Sequence, residues 1–257
     1  MGKLNKAVSA ILNALGKKSP AKGSAVAVIV AGGSSTRMGD GVSKQWITLS
    51  GLPVIIHTLR AFEQAETVRE IVLVVKEDEL ARYEDIAEEY RLQKPLSIVV
   101  GGATRQQSAK NGFLACADRA DFVAIHDGAR CLVTPDEIDR VCLTAFASGA
   151  AAAVTRVYDT VKNVTPNGYI EKTVDRDTVR LAQTPQVFRT NVYHAALAVS
   201  EKDGIAVTDD CSLAEHIDYP IRTVECSPDN LKITTPEDLL RAEAILADRS
   251  TKKEKAL

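Results

Sequence analysis

The chain has 257 residues, 45% of them hydrophobic, enough to bury the core of one large α/β domain. Its formal net charge of -2 leaves no basic surplus to attract a polyanion, which argues against nucleic acid as a general partner. The five cysteines, Cys116, Cys131, Cys142, Cys211 and Cys226, form no CxxC pair and read as reduced thiols of a cytoplasmic protein, and no apolar run approaches the roughly 18 residues that span a bilayer.

Residues 1–24 stand apart as a helical extension. Leu4, Val8, Ile11, Leu12 and Leu15 fall on one helical face between Lys3, Lys6, Lys17 and Lys18, and Ser19, Pro20 and Gly23 end the pattern. The stretch has no acidic residue before Asp40, so a membrane-surface anchor or targeting peptide is one reading. A marginal helix that docks on the body or frays is the simpler one, and no firm membrane association is expected.

From Ala25 onward, β-rich apolar runs alternate with helix-compatible spacing. Strands are expected at Val26 to Val30, Ile71 to Val75, Ser97 to Val100, Phe122 to His126, Ala152 to Thr155 and Ile221 to Glu225. Helices are expected at Val54 to Glu63, Asp78 to Tyr90, Gln106 to Ala117, Asp136 to Ala147, Asn191 to Ser200, Asp209 to His216 and Pro236 to Ala247. This order predicts an α/β fold, a Rossmann-like, mostly parallel sheet with helices on both faces, over residues 25–248. One segment breaks the rhythm. Around residues 157–179, β-branched and charged residues flank the turn signal Pro166-Asn167-Gly168, which predicts a projecting β-arm; a second copy of the chain is the economical partner for it, and a surface flap with no partner is the alternative. The basic tail, 249–257, is expected to be disordered.

In an open parallel sheet, ligands bind beyond the carboxyl ends of the strands, so the loops there carry the candidate chemistry. The first loop runs Ala31-Gly32-Gly33-Ser34-Ser35-Thr36-Arg37-Met38-Gly39 and is followed by Lys44-Gln45. Small residues let backbone N–H groups approach phosphate oxygens, and Arg37 and Lys44 supply a bidentate fork and a point charge. The loop lacks the GK[ST] ending of a P-loop and the GxGxxG spacing of a dinucleotide fingerprint. A second small-residue turn, Gly101-Gly102-Ala103-Thr104-Arg105, enters a helix bearing Ser108, which can hydrogen-bond a base or sugar, although taken alone a turn of this kind is more often structural. A third loop, His126-Asp127-Gly128-Ala129-Arg130, offers Asp127 to a hydroxyl or metal and Arg130 to a phosphate, with an internal Asp127 to Arg130 ion pair as the competing reading. Late in the chain, Thr173-Val174-Asp175-Arg176, Gln183-Thr184-Pro185-Gln186 and Asn230-Leu231-Lys232-Ile233-Thr234 add further polar groups. Lys232 is unusual in an apolar stretch, although its stem can simply snorkel to solvent. The four histidines form no metal-like cluster in sequence.

In their order and spacing, these motifs closely resemble the 2-C-methyl-D-erythritol 4-phosphate cytidylyltransferase family from about Val26 to Leu246. The resemblance implies a nucleotidyltransferase-type fold and an enzyme that joins CTP to 2-C-methyl-D-erythritol 4-phosphate in non-mevalonate isoprenoid biosynthesis. It implies that Ala31, Gly32, Gly33, Arg37 and Lys44 bind the CTP triphosphate and that Gly102, Ser108, Asp127 and Gly128 complete the CTP site. Asp127, Arg130, Arg176, Thr184, Thr208 and Lys232 would surround the methylerythritol phosphate. Arg37, Lys44, Arg176 and Lys232 would stabilise charge during the reaction. It also implies Mg2+ held mainly by the CTP phosphates, and a homodimer whose arms exchange so that Arg176 serves the partner's site. Two departures stand out. Cys131 follows the arginine of the third loop where the family often has proline, and alanine commonly stands where this chain has Gly33 or Gly128. The nearest rivals are a ribitol 5-phosphate cytidylyltransferase and a non-catalytic nucleotide sensor on the same fold. Thr173-Val174-Asp175-Arg176 favours the methylerythritol enzyme over the first, and retention of Arg37, Lys44 and Lys232 together argues against the second.

Overall fold

The computed structural model describes residues 23–33 and 43–254. The expected N-terminal helix before Gly23 and the candidate Arg37 lie outside the described residues.

The chain opens on β1 (Ala25–Val30), all six residues buried, as a strand covered on both faces must be. Ala25, Ala27 and Ile29 face one core while Val26, Val28 and Val30 face the other, the period of two that a sheet between helix layers requires. A small hairpin follows, β2 (Thr48–Leu49) and β3 (Leu52–Pro53). Its two-residue turn has positive φ at Ser50 (46°) and Gly51 (82°), which matches the twist of the flanking strands. Then come α1 (Val54–Gln64), β4 (Val68–Val75), a 3-10 turn at Glu77–Tyr83, α2 (Ile86–Glu89), β5 (Leu96–Val100), α3 (Arg105–Leu114), β6 (Phe122–Asp127) and α4 (Pro135–Ser148). The second half contains β7 (Ala150–Arg156), β8 (Lys162–Val164), β9 (Ile170–Thr173), β10 (Arg180–Arg189), α5 (Thr190–Lys202), α6 (Asp210–His216), β11 (Arg222–Glu225) and α7 (Pro236–Glu254).

Seven strands form one sheet in the order β11-β7-β10-β6-β1-β4-β5. Every neighbouring pair is parallel except those of β10, which runs antiparallel between β6 and β7. One core lies under α1 and α4, with Ile55, Leu59, Phe62, Ile138 and Val141. The other lies under α3, α5 and α6, with Phe113, Tyr193, Leu197 and Leu213. The expected α/β architecture with helices on both faces is thus observed. The separate two-stranded ribbon of β8 and β9 stands exposed, in the place expected for the arm.

Three local expectations need correction. The stretch Asp78 to Tyr90 is not one α-helix but the 3-10 turn and the short α2, with only Tyr83 and Ile86 buried. That apolar stripe is narrow, and the like-charged pairs Glu84 with Glu88 and Asp85 with Glu89 oppose a continuous helix. The strand β10 was not anticipated, because Pro185 interrupts it. The ladder to β7 slips between Ala182 and Gln186, and the ladder to β6 begins at Gln186, so the proline sits in an irregularity where no ladder bond is needed. The tail is helical as far as Glu254, beyond the expected boundary at residue 248. Arg249 donates to the Leu132 carbonyl at 2.8 Å and Lys252 pairs with Asp248 at 2.6 Å one turn back, contacts that extend α7.

Candidate active site

The strand order reverses between β1 and β6, the position at which an open α/β sheet leaves a crevice beyond its carboxyl edge. Backbone bonds carry the strand ends into that crevice. The Ala31 N–H donates to the Val74 carbonyl at 2.7 Å, the Gly101 N–H to Val75 at 2.8 Å and the Gly128 N–H to Val30 at 2.9 Å. Around them lies a cavity of about 470 Å³ whose lining includes Gly33, Lys44, Arg105, Ser108, Asp127 and Lys232.

Asp127 is the electrostatic centre of this cavity. Its Oδ1 accepts from Arg105 Nε at 2.9 Å, its Oδ2 meets Lys232 Nζ at 2.8 Å, and Arg130 Nε lies 3.7 Å from the same Oδ2. Burial opposes the carboxylate charge, but Arg105 and then Lys232 outweigh it and hold the carboxyl well below its ordinary range. Three cations thus converge on one carboxylate, and Lys44 shares the cavity, so the local charge is positive and suited to a phosphorylated ligand.

Lys232 owes its direction to its neighbours. The Ile233 N–H donates to the Ala129 carbonyl at 2.8 Å, and Leu231 and Ile233 pack with Leu49, Val54, Leu132 and Ala242. With Leu231 half-buried and Ile233 buried against that cluster, the side chain between them lines the cavity. Arg130 is only 14% exposed and donates to the carbonyls of Asn230 at 2.8 Å and Ala182 at 3.3 Å. It therefore fastens the Asp127 loop to the Lys232 segment and to β10, and the anticipated Asp127 to Arg130 ion pair is present at the longer distance noted above. Cys131, where proline is commoner in the resembling family, packs with Leu132 and Leu49. Burial pushes its thiol up to about 12, so it is a small apolar filler here.

Thr184 is buried, and its hydroxyl is already committed. The Asp127 N–H donates to Thr184 Oγ1 at 3.1 Å, leaving the single hydroxyl proton for His126 Nδ1 at 3.0 Å. His126 Nε2 faces the Arg130 carbonyl at 3.2 Å, and a carbonyl only accepts, so Nε2 carries the ring proton. Complete burial drives the His126 pKa down to about 3, with Asp127 opposing the shift less strongly, and the ring stays neutral. Asn230 completes this layer, its amide donating to the Thr184 carbonyl at 2.9 Å and to Gln183 Oε1 at 3.3 Å. The Gln183-Thr184-Pro185-Gln186 motif thus holds the site from beneath.

On the opposite side, the Gly101-Gly102 turn enters α3, whose N-cap Thr104 forms a reciprocal capping box with Gln107. The Gly102 N–H donates to Ser108 Oγ at 3.1 Å, and Ser108 donates to the Thr104 carbonyl at 2.9 Å. A Cβ on Gly102 would stand 2.4 Å from the Cβ of Gln107, so the turn closes only with glycine there. Lys44 begins a 3-10 turn whose Trp46 packs on Tyr83 with ring centroids 4.7 Å apart, while the Arg82 guanidinium lies 4.2 Å above the indole. These rings anchor the turn that presents Lys44.

Within one chain, the cavity therefore unites Gly33, Lys44, Ser108, Asp127 and Lys232 of the sequence candidates. Ala31, Gly32, Gly102 and Gly128 belong to the turns that bound it. Arg176 is not among them. It lies on the arm, donating to the Tyr158 carbonyl at 2.6 Å. Thr208 is exposed in the segment leading into α6. Sequence reading assigned no role to Arg105, although it follows a strand-end glycine turn, the same signal that drew attention to Arg37 and Arg130.

A family model described as "IspD: 2-C-methyl-D-erythritol 4-phosphate cytidylyltransferase" matches residues 25–248. A 2-C-methyl-D-erythritol 4-phosphate cytidylyltransferase of Syntrophus aciditrophicus is 41% identical over 222 residues, covering 86% of this chain and 95% of the relative. One from Geobacillus kaustophilus is 42% identical over 224 residues, covering 87% and 97% respectively. Among solved structures, the 4-diphosphocytidyl-2C-methyl-D-erythritol synthase of Anaerococcus prevotii superposes with a TM-score of 0.80 at 29% identity, covering 88% of this chain and 97% of that one. With a family match across nearly the whole sheet-and-helix body and relatives this similar over almost their full length, the chain belongs to the 2-C-methyl-D-erythritol 4-phosphate cytidylyltransferase family.

Proposed function

We propose that the chain transfers the cytidylyl group of CTP to 2-C-methyl-D-erythritol 4-phosphate, giving 4-diphosphocytidyl-2-C-methyl-D-erythritol and pyrophosphate in non-mevalonate isoprenoid biosynthesis. The observation that carries this reading is the cavity at the β1 and β6 strand ends, where Arg105, Arg130 and Lys232 converge on one carboxylate and Lys44 joins the lining. In the reaction, an oxygen of the acceptor phosphate attacks the α-phosphorus of CTP in line. The bond from that phosphorus to the bridging oxygen of the β-phosphate breaks, and pyrophosphate leaves with the electron pair. No protein nucleophile is required, because the attacking phosphate is already an anion. The barrier is repulsion between anions, which positioned cations relieve.

In this assignment the Ala31-Gly32-Gly33 turn, Arg37 and Lys44 receive the triphosphate, and Gly102 and Ser108 receive the base and sugar. Asp127 and Gly128 lie between the two substrates, and Lys232 and Thr208 meet the acceptor. Arg176 reaches the acceptor from the arm of a partner subunit in a homodimer, a role supported by its place on the arm and its absence from the lining of its own chain's cavity. Arg130 and Thr184 act by holding Asp127 and Lys232 in place. Magnesium suits this donor set as a companion of the nucleotide. Among the described residues that line the cavity, Asp127 is the one carboxylate and it is shared by Arg105 and Lys232, so the ion would take its ligands mainly from CTP phosphates and water. When bound, it would neutralise phosphate charge. Five free, buried cysteines fit a reducing compartment, in keeping with a cytoplasmic enzyme.

The test is to incubate the pure protein with CTP, magnesium and either 2-C-methyl-D-erythritol 4-phosphate or ribitol 5-phosphate and to measure pyrophosphate. Release with the methylerythritol phosphate is expected. Release with ribitol 5-phosphate alone overturns the substrate assignment, and CTP binding with no release under either condition indicates a sensor.

A further inference from the structure

Arg105 occupies an unusual place. It is the first residue of α3, directly beyond the turn assigned to the nucleotide, yet its guanidinium points across the cavity to the assigned acceptor side. Its Nε donates to Asp127 Oδ1 at 2.9 Å and its Nη1 to Asp210 Oδ2 at 2.8 Å, so one planar fork spans two carboxylates carried by different elements. Asp210 is a fixed anchor. Its side chain is 2% exposed, and its other oxygen accepts the Tyr193 hydroxyl proton at 2.6 Å. Behind it, Gln186 Oε1 accepts the Asp210 and Cys211 N–H groups at 2.9 and 3.0 Å.

The division of labour at Asp127 follows from this anchor. Arg105 holds Oδ1, which leaves Oδ2 for Lys232. Without Arg105, the carboxylate can rotate and offer both oxygens to Lys232 or Arg130. A lysine ammonium gripped by both oxygens is drawn away from an incoming phosphate.

We propose that Arg105 is a positioning residue for the transfer: anchored on Asp210, it fixes the Asp127 carboxylate in the orientation that presents Lys232 to the acceptor phosphate. The inference rests on the cytidylyl transfer assigned above. It gives Arg105 an effect on the acceptor, although its helix begins at the nucleotide-side turn.

The experiment is a double-mutant cycle on purified protein with CTP, magnesium and 2-C-methyl-D-erythritol 4-phosphate, using R105Q, K232A and R105Q/K232A, with R105K as the conservative variant. R105Q should raise the acceptor KM or lower kcat by roughly tenfold while the CTP KM stays within about twofold. R105K keeps the charge but cannot span both carboxylates with one fork, so it should recover only part of the loss. In the K232A background, R105Q should add little, because Lys232 is the group through which it acts. An R105Q effect that multiplies undiminished on K232A, or a rise in CTP KM equal to that for the acceptor, overturns the proposal. Should R105Q fail to fold, the split between the two KM values in R105K decides. Absence of pyrophosphate release by the unaltered enzyme would instead overturn the assigned reaction, so the two failures are distinguishable.

Discussion

Lys44 sits on a short turn held by Trp46, Tyr83 and Arg82, and its charge faces the assigned triphosphate side. Replacing it with alanine should lower turnover by on the order of a hundredfold or more, the usual scale for losing one group that stabilises developing charge, with the melting temperature little changed. Undiminished turnover would remove Lys44 from the mechanism. His126 gives a prediction about pH. Burial lowers its pKa from 6.5 to about 3, so between those values the unfolded chain binds a proton that the folded chain does not. Its contribution is therefore fully present above pH 6.5 and is lost progressively as the pH falls towards 3. Thermal melts from pH 7 to pH 4 should show a steeper loss in the wild type than in His126→Asn, which does not titrate; parallel slopes would refute the buried neutral ring. Asp127 and Lys232 were legible from sequence because a charge in or beside an apolar run demands a reason. Thr184 was legible only as a motif member, and Arg130 as a phosphate ligand or ion-pair partner rather than as a fastener of the loop. Their partners, the Asn230 and Ala182 carbonyls and His126, lie 100, 52 and 58 positions away along the chain and meet them only in the folded protein. Arg105 was missed for the same reason, since Asp210 lies 105 positions further along the chain.

At the scale of elements, α3 shows how closely the nucleotide-side turn is tied to the sheet. A Cβ on Gly112 would stand 2.4 Å from Val28 Cγ1 and 2.6 Å from Val74 Cγ2, so glycine lets this helix lie directly on β1 and β4. Gly112→Ala should destabilise the fold by about 1–3 kcal/mol as overpacking forces the helix outward. Because Ser108 lies one turn earlier on the same helix, the CTP KM should rise as well. A variant with unchanged melting temperature and unchanged CTP KM would show that the close approach is not required. The alternation of apolar strands and amphipathic helices was readable in sequence because burial on both faces leaves a local periodic signature. Strand β10 carries no such signature. Its central Gln183, Thr184 and Gln186 are buried polar residues satisfied by partners from distant segments, and Pro185 reads locally as a break. Long-range pairing overrode local propensity there, whereas the 3-10 stretch after β4 has too few inward-facing apolar residues to support an α-helix.

For the whole molecule, the proposed role of Arg176 in a partner's site depends on the arm, since Arg176 is not among the described residues that line its own chain's cavity. The arm carries Tyr158, Val164, Tyr169 and Ile170, each more than 60% exposed, an apolar load that a second copy of the chain would cover. Protein lacking the arm should therefore sediment as a monomer on dilution and lose activity; an arm-deleted protein that stays dimeric and active would refute the exchange. Complementation is a sharper test. R176A and K44A should each be nearly inactive as homodimers, but if Arg176 serves the partner's site, a heterodimer holds one site with both defects and one with neither. Unfolding and refolding the two variants together at equal concentration should yield about half heterodimers, and activity should recover to about a quarter of the wild-type value. If Arg176 instead served its own subunit, every site in the mixture would carry one defect and no recovery would occur. The refolded mixture thus separates a site shared across the interface from two sites that merely sit side by side.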